Sequence, residues 1–289
     1  MFNLKRIGIV VVLLVVTVAG VHALAQSTAK TIYYHDKVVV LLYHNFQQKE
    51  RGTAITHARF EQHMAMLKEK GFNVISMKQV HAFLSGKGNV PSNAIAITLD
   101  DGYLSNDLVA LPVLKQYKYP ALIFVPITNI GRVESLQDKK SIYLTWEEMQ
   151  SMQKQGISFG SHTYNGHFCV EGLDGKLKPW LVARMLGESQ ADYEKRVLSD
   201  LSSSKVLLEK NLNAKIEDLA FPYGVYNADV MRLAKQAGFE YQWTTKHWAV
   251  AKNSDVEQLG RVSVGIGGTT PDILYKKIME TAKAVSPVR

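Results

Sequence analysis

The chain has 289 residues, 46% hydrophobic and 21% charged, which excludes wholesale disorder and leaves room for one large α/β domain or two small ones. Its one cysteine, Cys169, excludes an intrachain disulfide and a multi-cysteine zinc site. The formal charge is +8, of which Lys5 and Arg6 supply two; the remaining surplus suits anionic surroundings such as a cell wall or acidic glycan, and no long basic run or basic-aromatic motif points to nucleic acid.

After the basic start, Ile7 to Val21 is uncharged and apolar, and Ala23-Leu24-Ala25 fits a signal-peptidase site. Residues 1–25 therefore read as an export signal cleaved after Ala25. The alternative is an uncleaved anchor with membrane association through residues 7–21, a run slightly short for a full span. Either way the working domain is expected outside the cytoplasm. Residues 26–36 read as a polar lead-in and 37–289 as a single folded domain.

Within that domain, strands and helices alternate. The continuously apolar run Lys37 to Tyr43 predicts a buried parallel strand, ending at His44. Helices follow over 56–70, capped by Thr56 and stopped by Gly71, and over 76–84, with a short strand 72–75 between them. His57, His63 and His81 in this region read as surface or boundary residues. Ala94 to Leu99 is the next strand, followed by a helix over 106–117 in which Pro112 marks a kink or internal start. A strand 120–125, a loop 129–143 and a helix opened by the capping box Thr145/Glu148 come next. Strand 157–160 leads into Ser161 to His167, and residues 168–187 read as an irregular insertion. Helix 189–210, strand 216–221, helix 228–236, strand 241–245, strand 261–264 and helix 271–284 complete the chain. Some seven βα units without a glycine-rich dinucleotide fingerprint favour an α/β barrel over an open doubly wound sheet.

The candidate chemistry falls at strand ends. Asp100 and Asp101 follow the apolar run 94–99, where two adjacent carboxylates repel each other and lose hydration; a bound cation offsets both costs. An Asp-Asp-Gly turn capping the next helix is the plainer explanation of that stretch alone. His162 and His167 stand five apart in a loop containing Gly166, so both imidazoles can close on one ion. With one aspartate they form the two-nitrogen, one-oxygen set of a catalytic zinc site with a position left for water; the same ligand types hold iron or cobalt. One aspartate would bind the ion and the other take a proton from the attacking water. The Tyr223 amide, at the sharp turn after Pro222, is a candidate oxyanion donor. His44 is the candidate acid for the leaving group. The set reads as a metal-assisted hydrolase of an amide or ester.

Thr98-Leu-Asp-Asp-Gly102, Ser161-His-Thr-Tyr-Asn-Gly-His167 and Phe221-Pro-Tyr-Gly224, in that order, resemble the motifs of the NodB-homology polysaccharide deacetylases, carbohydrate esterase family 4. The resemblance spans roughly residues 38–265. It implies a distorted (β/α)7 barrel in a single domain and a divalent metal, zinc above all, with cobalt, nickel or iron as substitutes. It implies Asp101, His162 and His167 as metal ligands, Asp100 as base and the Tyr223 amide in the oxyanion site. Three features depart from the common pattern: Ala220-Phe221 stand where many members carry an arginine, no aspartate directly precedes Trp243, and no histidine follows His247. The early Tyr43-His44 instead resembles the poly-N-acetylglucosamine deacetylase branch, which places the acid histidine near the domain start. A role for Arg261 in orienting Asp100 stands beside that of a structural salt bridge.

The implied activity is removal of N-acetyl groups from an acetylated amino-sugar polysaccharide outside the cell, with Trp180 and Trp248 as candidates for stacking on sugar rings or for ordinary packing. The alternatives are an O-acetyl esterase acting on xylan or peptidoglycan and a catalytically silent glycan-binding protein.

Overall fold

The computed structural model describes residues 31–284 and 286–288, apart from 137 and 138. The expected signal or anchor, residues 1–25, lies outside the described residues. Among the described residues no helix is long and apolar enough to cross a membrane.

Seven parallel strands form the frame: β1 (Lys37–Tyr43), β2 (Ala94–Leu99), β3 (Ala121–Val125), β4 (Ile157–Ser161), β5 (Asp218–Ala220), β6 (Tyr241–Trp243) and β7 (Val262–Ser263). They lie in the spatial order β6-β5-β4-β3-β2-β1-β7. Pairing is broad between β1 and β2, where six residue pairs run from Val38↔Ala94 to Tyr43↔Leu99. It narrows to one pair, Leu219↔Ser161, between β4 and β5. The circle closes through a single parallel bridge, Trp243↔Leu259, just upstream of β7. This is the distorted (β/α)7 barrel that the motif resemblance implied.

Helices α1 (His57–Glu69), α2 (Met77–Leu84), α3 (Leu111–Tyr117), α4 (Trp146–Gln153), α5 (Gln190–Leu212), α6 (Ala228–Gln236) and α7 (Pro271–Thr281) accompany the strands. Strand alternation sorts the core into two clusters. Val39, Leu41, Ile95, Ile97, Ile123 and Val125 pack with helix residues such as Phe60, Val197 and Leu233. Val38, Val40, Ala96, Leu122, Phe124 and Trp243 pack together on the other face, joined by Val80, Phe83 and Leu84 of α2.

Several local expectations are corrected. The helix expected over 106–117 opens as a π-helical turn, Asn106–Ala110, and continues as α3, with Pro112 in the first turn of α3 at the internal start expected there. The expected loop 129–143 holds an antiparallel hairpin, Val133–Leu136 with Lys139–Ile142. The insertion 168–187 holds another, Cys169–Glu171 with Leu177–Pro179. A short strand, Val250–Ala251, pairs antiparallel with the start of β1. His63 is not a surface residue: it is fully buried, its Nδ1 3.2 Å from the Tyr43 hydroxyl and its Nε2 2.8 Å from the Thr269 carbonyl. Its place on the apolar stripe of α1, one residue before Met64, explains the burial.

Candidate metal and catalytic site

All six residues expected to carry chemistry stand at the carboxyl ends of barrel strands, His44 after β1, Asp100 and Asp101 after β2, His162 and His167 after β4, and Tyr223 after β5. In parallel βα architecture these ends meet on one face.

Asp101, His162 and His167 come together, with one ligand atom from each within 4.8 Å of the others. Asp101 Oδ1 lies 3.7 Å from His162 Nε2 and 3.3 Å from His167 Nε2. Ligands about 2.0–2.1 Å from a tetrahedral ion stand roughly 3.3–3.4 Å apart, so these spacings suit one small divalent cation. Two further observations fit. Asp101 Oδ1 is buried and has no hydrogen-bond partner, a costly state that a cation relieves. The Nδ1–H of His162 donates to the Ala220 carbonyl at 2.7 Å, which fixes the tautomer and leaves the Nε2 lone pair facing Asp101. Burial, with His167 nearby, brings the His162 imidazole down to about 4 against the pull of the two aspartates, so the neutral, ligating form prevails.

Asp100 is held differently. It is buried, and Arg261 grips both its oxygens, Nη1 to Oδ1 at 2.7 Å and Nη2 to Oδ2 at 2.9 Å. Arg261 is itself fully buried, lies over the Phe124 ring at 5.1 Å and donates from Nε to the Thr244 carbonyl. Burial alone would raise the Asp100 carboxyl. The Arg261 guanidinium, with His162 and His44, outweighs it and brings the group down to about 2. Ala220 and Phe221 stand before Pro222, and the guanidinium on Asp100 comes instead from Arg261, just before β7. Trp243, which lacks a preceding aspartate, donates instead to Asp218 Oδ1 at 2.8 Å.

His44 is half-buried, and its carbonyl accepts from Asn106 Nδ2 at 2.8 Å. Ser105 ties the next two residues: its Oγ donates to Asn45 Oδ1 and accepts from the Phe46 amide. The π-helical turn after β2 therefore pins the segment that follows β1. Tyr223 has φ +59°, its hydroxyl donates to the His167 carbonyl at 3.3 Å, and its ring lies 4.7 Å from that of His167. Gly224 permits the turn: it has φ +68°, and a Cβ there would stand 2.1 Å from Thr245 Oγ1.

Three contributors escaped the sequence reading. Asp200, buried on α5, accepts from the Tyr164 and Asn165 amides at 3.0 and 2.7 Å and so clamps the loop between the two histidines. Its signal was a charged residue in phase with the buried stripe Tyr193, Val197, Leu201 and Leu208. Thr163 steadies the same loop, its Oγ1 accepting from the Gly166 amide at 2.9 Å. Tyr103, whose hydroxyl is pushed up by burial and by neighbouring Asp101 and Tyr143, stacks on Tyr143 at 5.0 Å beside the site. Neither tryptophan stands free: Trp180 packs against Arg196 at 4.2 Å and Phe168 at 5.7 Å, and Trp248 lies against the backbone of Gly260.

Residues 87–242 match the family model described as polysaccharide deacetylase. The chain is 25% identical, over 91% of its length and 92% of the relative's, to the poly-beta-1,6-N-acetyl-D-glucosamine N-deacetylase of Staphylococcus aureus strain MSSA476. Among solved structures it is similar to IcaB from Ammonifex degensii, with 26% identity, a TM-score of 0.71 and coverage of 85% of this chain and 98% of that one. The de-N-acetylase from Aggregatibacter actinomycetemcomitans shares the fold, with a TM-score of 0.72 at 24% identity, covering 84% of this chain and 100% of that one.

Proposed function

The chain belongs to the polysaccharide deacetylase family, and from that premise we propose that it is a metal-dependent N-deacetylase of an acetylated amino-sugar polysaccharide, exported by residues 1–25 and working through the single domain 37–289. The observation that carries the metal assignment is the buried, unpartnered Asp101 Oδ1 facing two imidazole Nε2 atoms.

Asp101, His162 and His167 would hold the ion, most simply zinc. When bound, it supplies a Lewis acid for the acetyl carbonyl and makes water a nucleophile near neutral pH. Asp100 accepts the proton of the attacking water. Its bidentate hold by Arg261 keeps it ionised and fixes its direction. Two carboxylates thus divide the work: one oxygen is left bare for a cation, and the other group is oriented by a guanidinium that leaves a lone pair on each oxygen. The Tyr223 amide donates to the oxygen that gains charge as the carbonyl becomes tetrahedral. His44 protonates the departing sugar nitrogen, so the C–N bond breaks to release acetate and an amine.

The test is acetate release from an acetylated glucosamine oligomer after chelation, then with zinc or cobalt restored, beside Asp101→Ala. Release lost on chelation, regained with metal and absent in the variant is the expected result. A wild type that binds one ion per chain yet releases nothing from amides would move the substrate to O-acetyl esters.

A further inference from the structure

The end of the barrel opposite the catalytic face carries a second feature. Lys68 and Lys70 end α1, Lys115 and Lys118 end α3, and Lys154 follows α4. All five lead into strands at their amino ends, and all five are exposed. Among the described residues none has a carboxylate partner within ion-pair distance, and Glu69 is the one acid in these three connections. None donates to a helix carbonyl; Lys115 Nζ reaches Gln155 Oε1 at 2.8 Å. Two lysines at the same end are paired, Lys215 with Glu240 at 3.0 Å and Lys235 with Glu257 at 2.7 Å. Five exposed ammonium groups on three successive connections make this sector a positive surface.

Aromatic rings interleave with it. Lys68 lies 5.8 Å from the Tyr117 ring centre, Tyr117 stacks on Tyr119 at 5.6 Å, and Lys70 lies 5.8 Å from the Tyr275 ring. Between α3 and α4 a surface hollow of about 340 Å³ is lined by Leu111, Leu114, Lys115, Lys118, Tyr119 and Gln155. Ammonium groups spaced along a stripe of half-buried tyrosines match an extended polymer that carries anionic groups and sugar faces.

We propose that this sector docks a polyanionic glycan, holding the enzyme among acidic envelope polymers while the opposite end stays open to substrate. The site is independent of the metal and of the acetyl group removed. Binding of the full chain is measured to dextran sulfate, with neutral dextran as reference, in low and physiological salt. The expected result is salt-sensitive binding to the sulfated chain, weakened at least ten-fold in Lys68→Glu/Lys70→Glu/Lys115→Glu/Lys118→Glu. Acetate release from a short soluble oligomer is unchanged in that variant. Tyr119→Ala weakens binding to dextran sulfate more than binding to inorganic polyphosphate, which has no sugar ring. Unaltered affinity in the four-fold variant overturns the proposal. So does an equal loss in Lys176→Glu/Lys195→Glu, which changes the same kind of charge in the insertion 168–187 and the first half of α5. Capture by phosphatidylglycerol vesicles without capture by dextran sulfate assigns the surface to a membrane and also overturns it.

Discussion

The two ends of the barrel use the same backbone conformation for opposite purposes. At the amino end, helices turn back into strands through left-handed residues, and glycine fills most of those positions: Gly71, Gly156 and Gly238 have φ between +75° and +91°. At the catalytic end the left-handed residues include Asp101 at +74°, Thr163 at +80° and Tyr223 at +59°. A side chain in this region costs on the order of 1–3 kcal/mol, and a β-branched one such as threonine is the least tolerated. Where only topology asks for the turn, the chain mostly omits the side chain, Lys118 and Asn213 being exceptions. Where chemistry asks for one, the chain carries the strain, and packing from α5 and β7 holds it in place.

The comparison breaks most sharply through activity. Asp101→Ala should reduce acetate release to the chelated background and abolish stoichiometric metal binding, while the thermal midpoint of the metal-free protein stays near wild type. Arg261→Met should affect both function and stability. It leaves a buried carboxylate uncompensated, so chemical denaturation should show a loss of about 3–5 kcal/mol, largely recovered in the double variant Arg261→Met/Asp100→Leu, which remains inactive. Asp200→Asn keeps the helix and weakens the clamp on the histidine loop; metal affinity by competitive titration should fall about 10–100-fold.

The pH dependence of the metal-free protein sharpens the contrast further. The Asp100 carboxyl is lowered from 3.8 to about 2 by the Arg261-dominated field, against burial. Its stabilisation is therefore complete above the unfolded value and is lost as pH falls from about 4 to 2, a change of about 2 kcal/mol. In Arg261→Met burial acts with little opposition, and the sign of this contribution should invert. His63 adds a second acid limb: burial, with Arg59 nearby, lowers it to about 4 despite the bond to Thr269, so stability falls between pH 6.5 and 4 and is flatter in His63→Gln. The smallest effect belongs to the amino end. Lys118 adopts φ +58° with no contact that requires its Cβ there, so Lys118→Gly should stabilise by about 0.5–1 kcal/mol without altering acetate release.

Much of this was legible in the sequence because the signals were local. Continuous apolar runs marked the buried strands, Thr145 and Glu148 their capping box, and the Asp-Asp and His-x4-His spacings the candidate cluster for a cation. Arg261 was visible but undecided, since its partner lies 161 residues away and only strand order brings them together. Asp200 stayed hidden because one aspartate in a 23-residue helix carries no signal beyond its phase on the apolar stripe. The hairpin ending at Ile142 was hidden by its polar strands, which lack the alternation that marks a half-buried sheet. His63 was misjudged because a histidine has no fixed preference for burial, and its two partners come from β1 and from the segment before α7.

The barrel's narrow seam has a consequence for heat inactivation. The single bridge Trp243↔Leu259 is made by two amide bonds, Thr244 to Leu259 and Leu259 to Gln242, and the Gln242 amide adds one more to the Val256 carbonyl. Arg261 stands two residues from that bridge. Opening the seam removes the Thr244 carbonyl that holds Arg261 Nε and so loosens the guanidinium on Asp100, while the six-pair contact of β1 with β2 remains intact. On warming, activity should therefore disappear before the sheet does, and the Leu259 and Thr244 amides should exchange with deuterium ahead of those in β2.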